Sequence, residues 1–263
     1  MKVSGGEGGG RVSLAKASGR KNVIRTGLVG HRWRVAGMLL ILALGGMVGC
    51  ESSSTSETNL RVVHLSPDAP ALDVFVGGTQ QLIQGLSFPN STTYQNLDSG
   101  VATFEISPTG ATPADNILQF QDVLLMEDAA YTIVIYDVVA AIAGLMLEDN
   151  LSNLPDGNIR LRVMHAAADV GQVDILNILA AGSPSLLYEN LNLGEAGGAV
   201  ELPAGTYTLG IDVTNDGNSE YVFALPRLSA GAVVNMFATT DNGNNVFLLL
   251  QFADSSTRRI DPS

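Results

Sequence analysis

His64 and His165 are each followed by aspartates four and nine positions later, Asp68 and Asp73 in the first case and Asp169 and Asp174 in the second. An imidazole and two carboxylates are a donor set that can hold a transition ion, and the chemistry would then be metal-assisted hydrolysis. If the intervening residues turn back, His64 and Asp73 fall on neighbouring strands within side-chain reach. The same residues also read as structural, a histidine orienting or charge-pairing with an aspartate that caps a turn, and we take that reading first. The trio recurs where the prolines around it do not, which marks it as a unit under either reading.

Other arrangements are weaker. His64, Ser66 and Asp68 stand at alternate positions of one segment, and an extended i to i+2 spacing of about 6.6 Å forbids a hydrogen-bonded relay. Ala167 replaces that serine in the second occurrence. No nucleophile elbow, phosphate loop or dinucleotide fingerprint is present, so no residue is assigned a catalytic role. Asp212-Val-Thr-Asn-Asp-Gly217 resembles the first half of a calcium loop, but Phe223 occupies the position where the bidentate acid is required. A hairpin turn is expected there, with calcium held by Asp212, Asp216 and Glu220 as the alternative. Asp241-Asn-Gly-Asn-Asn245 reads as a turn.

The elements that position these residues occur twice. Leu60-Arg-Val-Val-His-Leu-Ser-Pro-Asp-Ala-Pro-Ala-Leu-Asp-Val-Phe75 aligns without a gap on Leu161-Arg-Val-Met-His-Ala-Ala-Ala-Asp-Val-Gly-Gln-Val-Asp-Ile-Leu176, at an offset of 101. Leu97–Ile106 aligns on Leu202–Ile211 at an offset of 105, and Asp128-Ala-Ala-Tyr131 lies opposite Gly231-Ala-Val-Val234. Three blocks in the same order describe a duplicated domain. Two copies are too few for a solenoid, so each is expected to bury its own core.

Within each copy the segments are short, β-branched or aromatic, and punctuated by Gly, Pro, Asn and Asp. Ala102–Ile106 and Thr206–Ile211 alternate, whereas Tyr131–Tyr136 reads as buried on both faces. The pattern predicts an all-β protein of two tandem antiparallel β-sandwich domains, immunoglobulin- or transthyretin-like, joined end to end, over residues 60–150 and 159–254. Apolar stretches such as Val138–Leu147 also read as helical. Tyr94, Phe104, Tyr131, Tyr136, Tyr207 and Phe223 fall on strand-like segments and are assigned to the core.

The phrase Val63-His-Leu-Ser-Pro-Asp-Ala-Pro-Ala-Leu-Asp-Val-Phe-Val76 resembles the opening of the bacterial family called domain of unknown function 4397, whose members are exported and often duplicated. In the second copy Ser66, Pro67 and Pro70 become Ala167, Ala168 and Gly171. The resemblance implies a β-sandwich and brings no established activity.

The N-terminal segment carries an address. Eight basic side chains and one acid precede the uncharged run Val35–Val48, whose 14 residues fall short of the roughly 20 that span a bilayer. Residues 1–49 therefore read as a signal peptide, with the true start near Val23 or Val29. Met47-Val48-Gly49-Cys50 resembles a lipobox, which implies a diacylglyceryl thioether and an acyl amide on Cys50, the one cysteine of the chain. Several acyl chains anchor firmly where one does not. Residues 50–59 read as the lipidated cysteine and a serine-rich tether, and Glu51 at the next position points to the outer membrane.

Of 14 basic and 26 acidic side chains, the leader takes eight and one, leaving 6 and 25 and a net charge of −19. Such a field repels phosphate backbones and excludes nucleic acid as a partner. The expectation is a non-enzymatic cell-envelope lipoprotein facing the periplasm or cell surface, held by its lipid. It would have no other cofactor, and an envelope protein or glycan as partner. The alternatives are a metal-dependent hydrolase on the repeated His/Asp/Asp cluster and a calcium-dependent adhesion module.

Overall fold

The computed structural model describes residues 23–25, 56–178 and 184–263, and within these it is all-β, with only two short 3-10 turns. The first copy comprises β2 (Glu57–Leu65), β3 (Leu72–Val76), β4 (Gln80–Leu86), β5 (Gln95–Asp98), β6 (Gly100–Pro108), β7 (Leu118–Leu125), β8 (Ala130–Tyr136) and β9 (Ala143–Glu148). The second comprises β10 (Asn158–His165), β11 (Val173–Ile178), β12 (Ser185–Leu191), β13 (Val200–Pro203), β14 (Thr208–Asp212), β15 (Tyr221–Ala224), β16 (Val233–Thr240) and β17 (Val246–Phe252). A final strand, β18 (Thr257–Ile260), has no counterpart and pairs with β17. The first strand of the chain, β1 (Val23–Arg25), lies within the segment read as leader and pairs in parallel with β7. The remainder of the leader, Cys50 and residues 51–55 fall outside the described residues.

Each copy is a two-sheet sandwich of the same topology. In the first, an inner sheet β5-β2-β8-β9 faces an outer sheet β7-β6-β3-β4; in the second, β13-β10-β16-β17 faces β12-β11-β14-β15. The duplication extends to register: Leu60 pairs with Tyr131 and Leu161 with Val234, the residues that the third aligned block equates. Asp128 and Gly231, which open that block, both have positive φ just ahead of the strand. The expectation of purely antiparallel sheets is corrected at one place per copy. β2 and β8 run parallel, as do β10 and β16, because β8 and β16 are entered by a crossover from the outer sheet, from β7 and β15, and not by a hairpin from the neighbouring strand. Val138–Leu147 forms a 3-10 turn over Val139–Ala141 followed by β9, not a helix.

The packing departs from the expected end-to-end arrangement of self-contained units. Each sandwich does have its own core, one around Leu60, Val62, Phe104, Phe120 and Ile133, the other around Leu161, Val163, Phe223, Met236 and Leu248. A third cluster joins Val63, Leu65, Val134, Tyr136 and Leu147 of the first copy to Met164, Ala166, Phe237, Phe247 and Leu249 of the second. The two inner sheets therefore pack face to face, and apolar surface is buried in three layers. This explains β8, every residue of which is buried. Tyr131, Ile133 and Ile135 point into their own core, while Val134 and Tyr136, one pleat away, point at the other copy. The boundaries shift accordingly: β2 begins at Glu57 inside the expected tether, and the second unit runs on through β18.

Candidate functional site

Each repeated histidine closes the loop that carries the chain from inner to outer sheet. His64 is buried; its Nδ1 accepts the Ser66 N–H at 3.2 Å, so Nε2 carries the hydrogen and donates to the Pro70 carbonyl at 3.1 Å. His165 does the same, accepting from the Ala167 N–H at 3.3 Å and donating to the Gly171 carbonyl at 2.8 Å. Burial pushes both imidazoles below the usual histidine range and outweighs the backbone carbonyls that favour the proton, so both rings are neutral at pH 7. These contacts use only backbone atoms beyond the ring, which is why Ala167 and Gly171 can replace Ser66 and Pro70. Ser66 Oγ is itself buried without a hydrogen-bond partner.

The aspartates turn elsewhere. Asp73 Oδ1 accepts the Gly85 N–H at 2.7 Å, and Asp174 Oδ1 accepts the Asn190 N–H at 2.6 Å. Gly85 and Asn190 have φ of 67° and 57° at the bulges where β4 and β12 slip against β3 and β11. The repeated aspartate thus pins a left-handed bulge on the neighbouring strand, a position open to Gly or Asn. Asp73 also accepts from Thr109 Oγ1 and the Gly110 N–H, both at 3.0 Å. Burial alone would raise its carboxyl, and these donors with Gly85 hold it below the ordinary range instead. Asp68, which is exposed, accepts the Val139 N–H at 2.7 Å, and Asp169 is an exposed residue with φ of 61°. Among the described residues the His/Asp/Asp trio forms no cluster of metal-binding dimensions in either copy. It does not act as one unit: the histidine and the second aspartate hold two different loops.

Asp212, Asp216 and Glu220, by contrast, are brought together in the β14–β15 loop, with one carboxylate oxygen of each within 4.8 Å of the others. Asp212 is fully buried and sits where the first copy has Ser107, opposite Asp174 as Ser107 is opposite Asp73. Its Oδ1 accepts the Thr214 and Asn215 N–H groups at 3.0 and 2.7 Å, and its Oδ2 accepts that of Gly217 at 2.7 Å. Burial would raise its carboxyl, but the backbone donors keep it below the usual range. Glu220 accepts the Val213 N–H at 2.7 Å, and Asp216 the Asn218 N–H at 2.8 Å. In the first copy Asp73 holds the corresponding loop from across the sheet; in the second, Asp212 holds it from within. Asp241 binds the Gly243 and Asn245 N–H groups and forms the expected turn.

The largest buried polar assembly among the described residues was not singled out by the sequence and lies between the copies. Asp149, 7 % exposed, accepts from Arg61 Nη2 at 3.2 Å, Tyr94 Oη at 2.7 Å, Thr132 Oγ1 at 2.5 Å and, across the interface, Asn235 Nδ2 at 2.7 Å. Arg162 Nη1 stands 4.0 Å from its other oxygen. The Arg61 guanidinium lies 4.5 Å over the Tyr94 ring. Burial, and then the charge of Asp149, push the Tyr94 hydroxyl well above its ordinary range, so it remains a donor. Arg61 Nη1 donates to the Phe252 carbonyl of the second copy at 2.5 Å, and its counterpart Arg162 Nη2 donates to the Glu148 carbonyl of the first at 2.9 Å. The contact is thus reciprocal, as in an isologous dimer. Gln251 Nε2 reaches Ser91 Oγ at 2.6 Å, and Gly194 leaves the space into which Tyr136 fits. A signal was present: Arg61 and Arg162 are identical between copies and interrupt the apolar runs Leu60–Val63 and Leu161–Met164. Of the aromatics, Phe104, Tyr131 and Phe223 lie in the cores as expected, whereas Tyr136 and Tyr94 serve the interface.

Residues 58–176 match the family model described as Domain of unknown function (DUF4397). No curated protein matches the chain. Among solved structures it is similar to a streptococcal virulence factor that binds alpha-glucan, at 11 % identity and a TM-score of 0.24, covering 72 % of this chain and 95 % of that one. It is also similar to family 41 carbohydrate-binding modules from streptococcal virulence factors, which recognise alpha-glucan, at 13 % identity and a TM-score of 0.23, covering 69 % and 93 %. Superpositions this loose carry no inference about a ligand of this chain.

Proposed function

With residues 58–176 belonging to the DUF4397 family, we propose that the protein is a non-enzymatic component of the cell envelope, anchored by lipid in the outer membrane. Its two sandwiches would act as one rigid body that offers its outer surface to an envelope protein or glycan. The observation that carries the reading is the fate of the repeated polar residues. In both copies the imidazole and the second aspartate are consumed by backbone groups of adjoining loops, and the extensive polar network found among the described residues serves the contact between copies. Export and anchoring rest on the charge pattern of residues 1–49 and the lipobox at Cys50.

The test has two arms. Crosslinking in intact cells followed by mass spectrometry is expected to recover an envelope partner with the mature form, and an exclusively cytoplasmic set of crosslinks refutes the assignment. Elemental analysis of the purified protein is expected to find no stoichiometric transition metal. Zinc at one or two per chain, lost in a His64→Ala/His165→Ala double variant, would overturn this reading in favour of the metal-dependent alternative.

Calcium-dependent adhesion is kept as a second reading because the Asp212, Asp216 and Glu220 oxygens do converge. Its distinguishing property would be a calcium-induced rise in melting temperature.

A further inference from the structure

Six exposed large apolar side chains are found among the described residues, and three of them, Val101, Leu124 and Met126, are more than half exposed at 60 %, 54 % and 56 %. These three are neighbours. Val101 on β6 pairs directly with Leu124 on β7, and Met126, two residues further along, continues the same face. They lie at the end of the first sandwich where the chain enters it. The Ser99 N–H donates to the Ser56 carbonyl at 2.7 Å, and the Asp128 N–H donates to that of Glu57 at 2.9 Å. The incoming strand is therefore clasped by residues two positions from Val101 and two from Met126.

We infer that Val101, Leu124 and Met126 form a membrane-contact face, seated in the headgroup layer of the bilayer to which Cys50 is anchored. The inference rests on the lipid-anchor reading and deepens it. Its central observation is the length of chain between the anchor and the fold. Ser56 lies six residues after Cys50, a span of at most about 20 Å when fully extended. A sandwich end held this close to the bilayer is presented to it at high effective concentration, so a small apolar patch suffices to fix its orientation. Each side chain contributes about a fivefold preference for contact when half its surface leaves water, and the three together about a hundredfold. Glu57, Asp98, Glu127 and Asp128 are exposed around the patch. Such an acidic rim suits a surface of zwitterionic headgroups, whose ammonium groups it can approach, and disfavours an anionic one.

The opposite end of the same hairpin supplies the control. The loop around Ala114 joins β6 to β7 about 26 Å away, eight strand residues at about 3.3 Å each. Met126→Cys and Ala114→Cys each introduce one free thiol, since Cys50 is the only cysteine and is blocked when acylated. The full chain, purified in its membrane-extracted form and reconstituted into phosphatidylethanolamine/phosphatidylcholine vesicles, is labelled at either site with an environment-sensitive fluorophore. Lipids bearing a headgroup-depth nitroxide then report contact. The expected result is strong quenching and a blue-shifted emission at position 126, neither at 114, and loss of both at 126 when Val101→Ser and Leu124→Ser are added. Mass spectrometry of the N-terminal peptide reads acylation separately. An acylated Cys50 with equal signals at 126 and 114 overturns the contact face and leaves the anchor standing. An unmodified Cys50 overturns both.

Discussion

Replacing Asp149 by alanine is expected to weaken the fold by several kcal/mol, because it strands a buried guanidinium. Arg61 and Asp149 have side chains 2 % exposed, and among the described residues this is the only carboxylate within ion-pair distance of the Arg61 guanidinium. Removing it leaves a buried cation whose remaining hydrogen bonds go to Thr132 Oγ1 and the Phe252 carbonyl. Breaking a buried pair in this way costs about 3–5 kcal/mol, because the surviving charge keeps its desolvation penalty and loses its compensation. Tyr94, Thr132 and Asn235 lose an acceptor in the same step. At about 2–4 °C per kcal/mol for a chain of this size, the melting temperature should fall by roughly 6–20 °C. The assay is scanning calorimetry of the processed protein. The network bridges the copies, so the transition should also broaden or split, as the two sandwiches lose coupling and melt separately. A double variant, Arg61→Met with Asp149→Leu, removes both charges and fills the space with apolar atoms, and should recover most of the loss. An Asp149→Ala protein that melts within about 1 °C of wild type, in one sharp transition, refutes the account, since that shift corresponds to well under 1 kcal/mol.

Three further outcomes follow from the same structure. Because burial lowers the His64 and His165 pKa values in the folded state, the unfolded chain binds more protons below about pH 6.5; stability should be level above that pH and decline as the pH falls beneath it, ahead of the carboxylate range. Thermal melts from pH 7.5 to 5 check this: His64→Gln/His165→Gln should flatten the slope, and a flat wild-type profile contradicts it. The β14–β15 loop is held by its own backbone donors, so millimolar calcium should leave the melting temperature unchanged; a rise of several degrees, abolished in Asp216→Asn/Glu220→Gln, would instead assign the ion. Trp33 is the only tryptophan, so the processed protein should emit as tyrosine alone, and tryptophan emission from the envelope form would show that the leader is retained.

Much of the architecture was determined by the sequence alone. The period-two segments, the turn residues and the three aligned blocks specify strands, their order and their duplication, because these depend on local backbone preference and on which face of each strand is apolar. Even the left-handed positions at Asp128 and Gly231 fall where the alignment puts them. The doubly apolar Tyr131–Tyr136 declared that both faces of β8 are covered. What covers the second face was decided by the tertiary structure, since apolar side chains state a need for burial without naming a partner. The same limit applied to the polar residues. His64 and Asp73, nine positions apart, looked like one site, yet they bind backbone groups of different loops. Arg61 finds its carboxylate 88 residues away, at a place no periodicity marks. Hydrogen bonds and close ion pairs are directional, so which groups meet follows only once strands have paired, as β2, β8 and β9 bring Arg61, Thr132 and Asp149 together, and once the two inner sheets have docked, as Asn235 reaches Asp149.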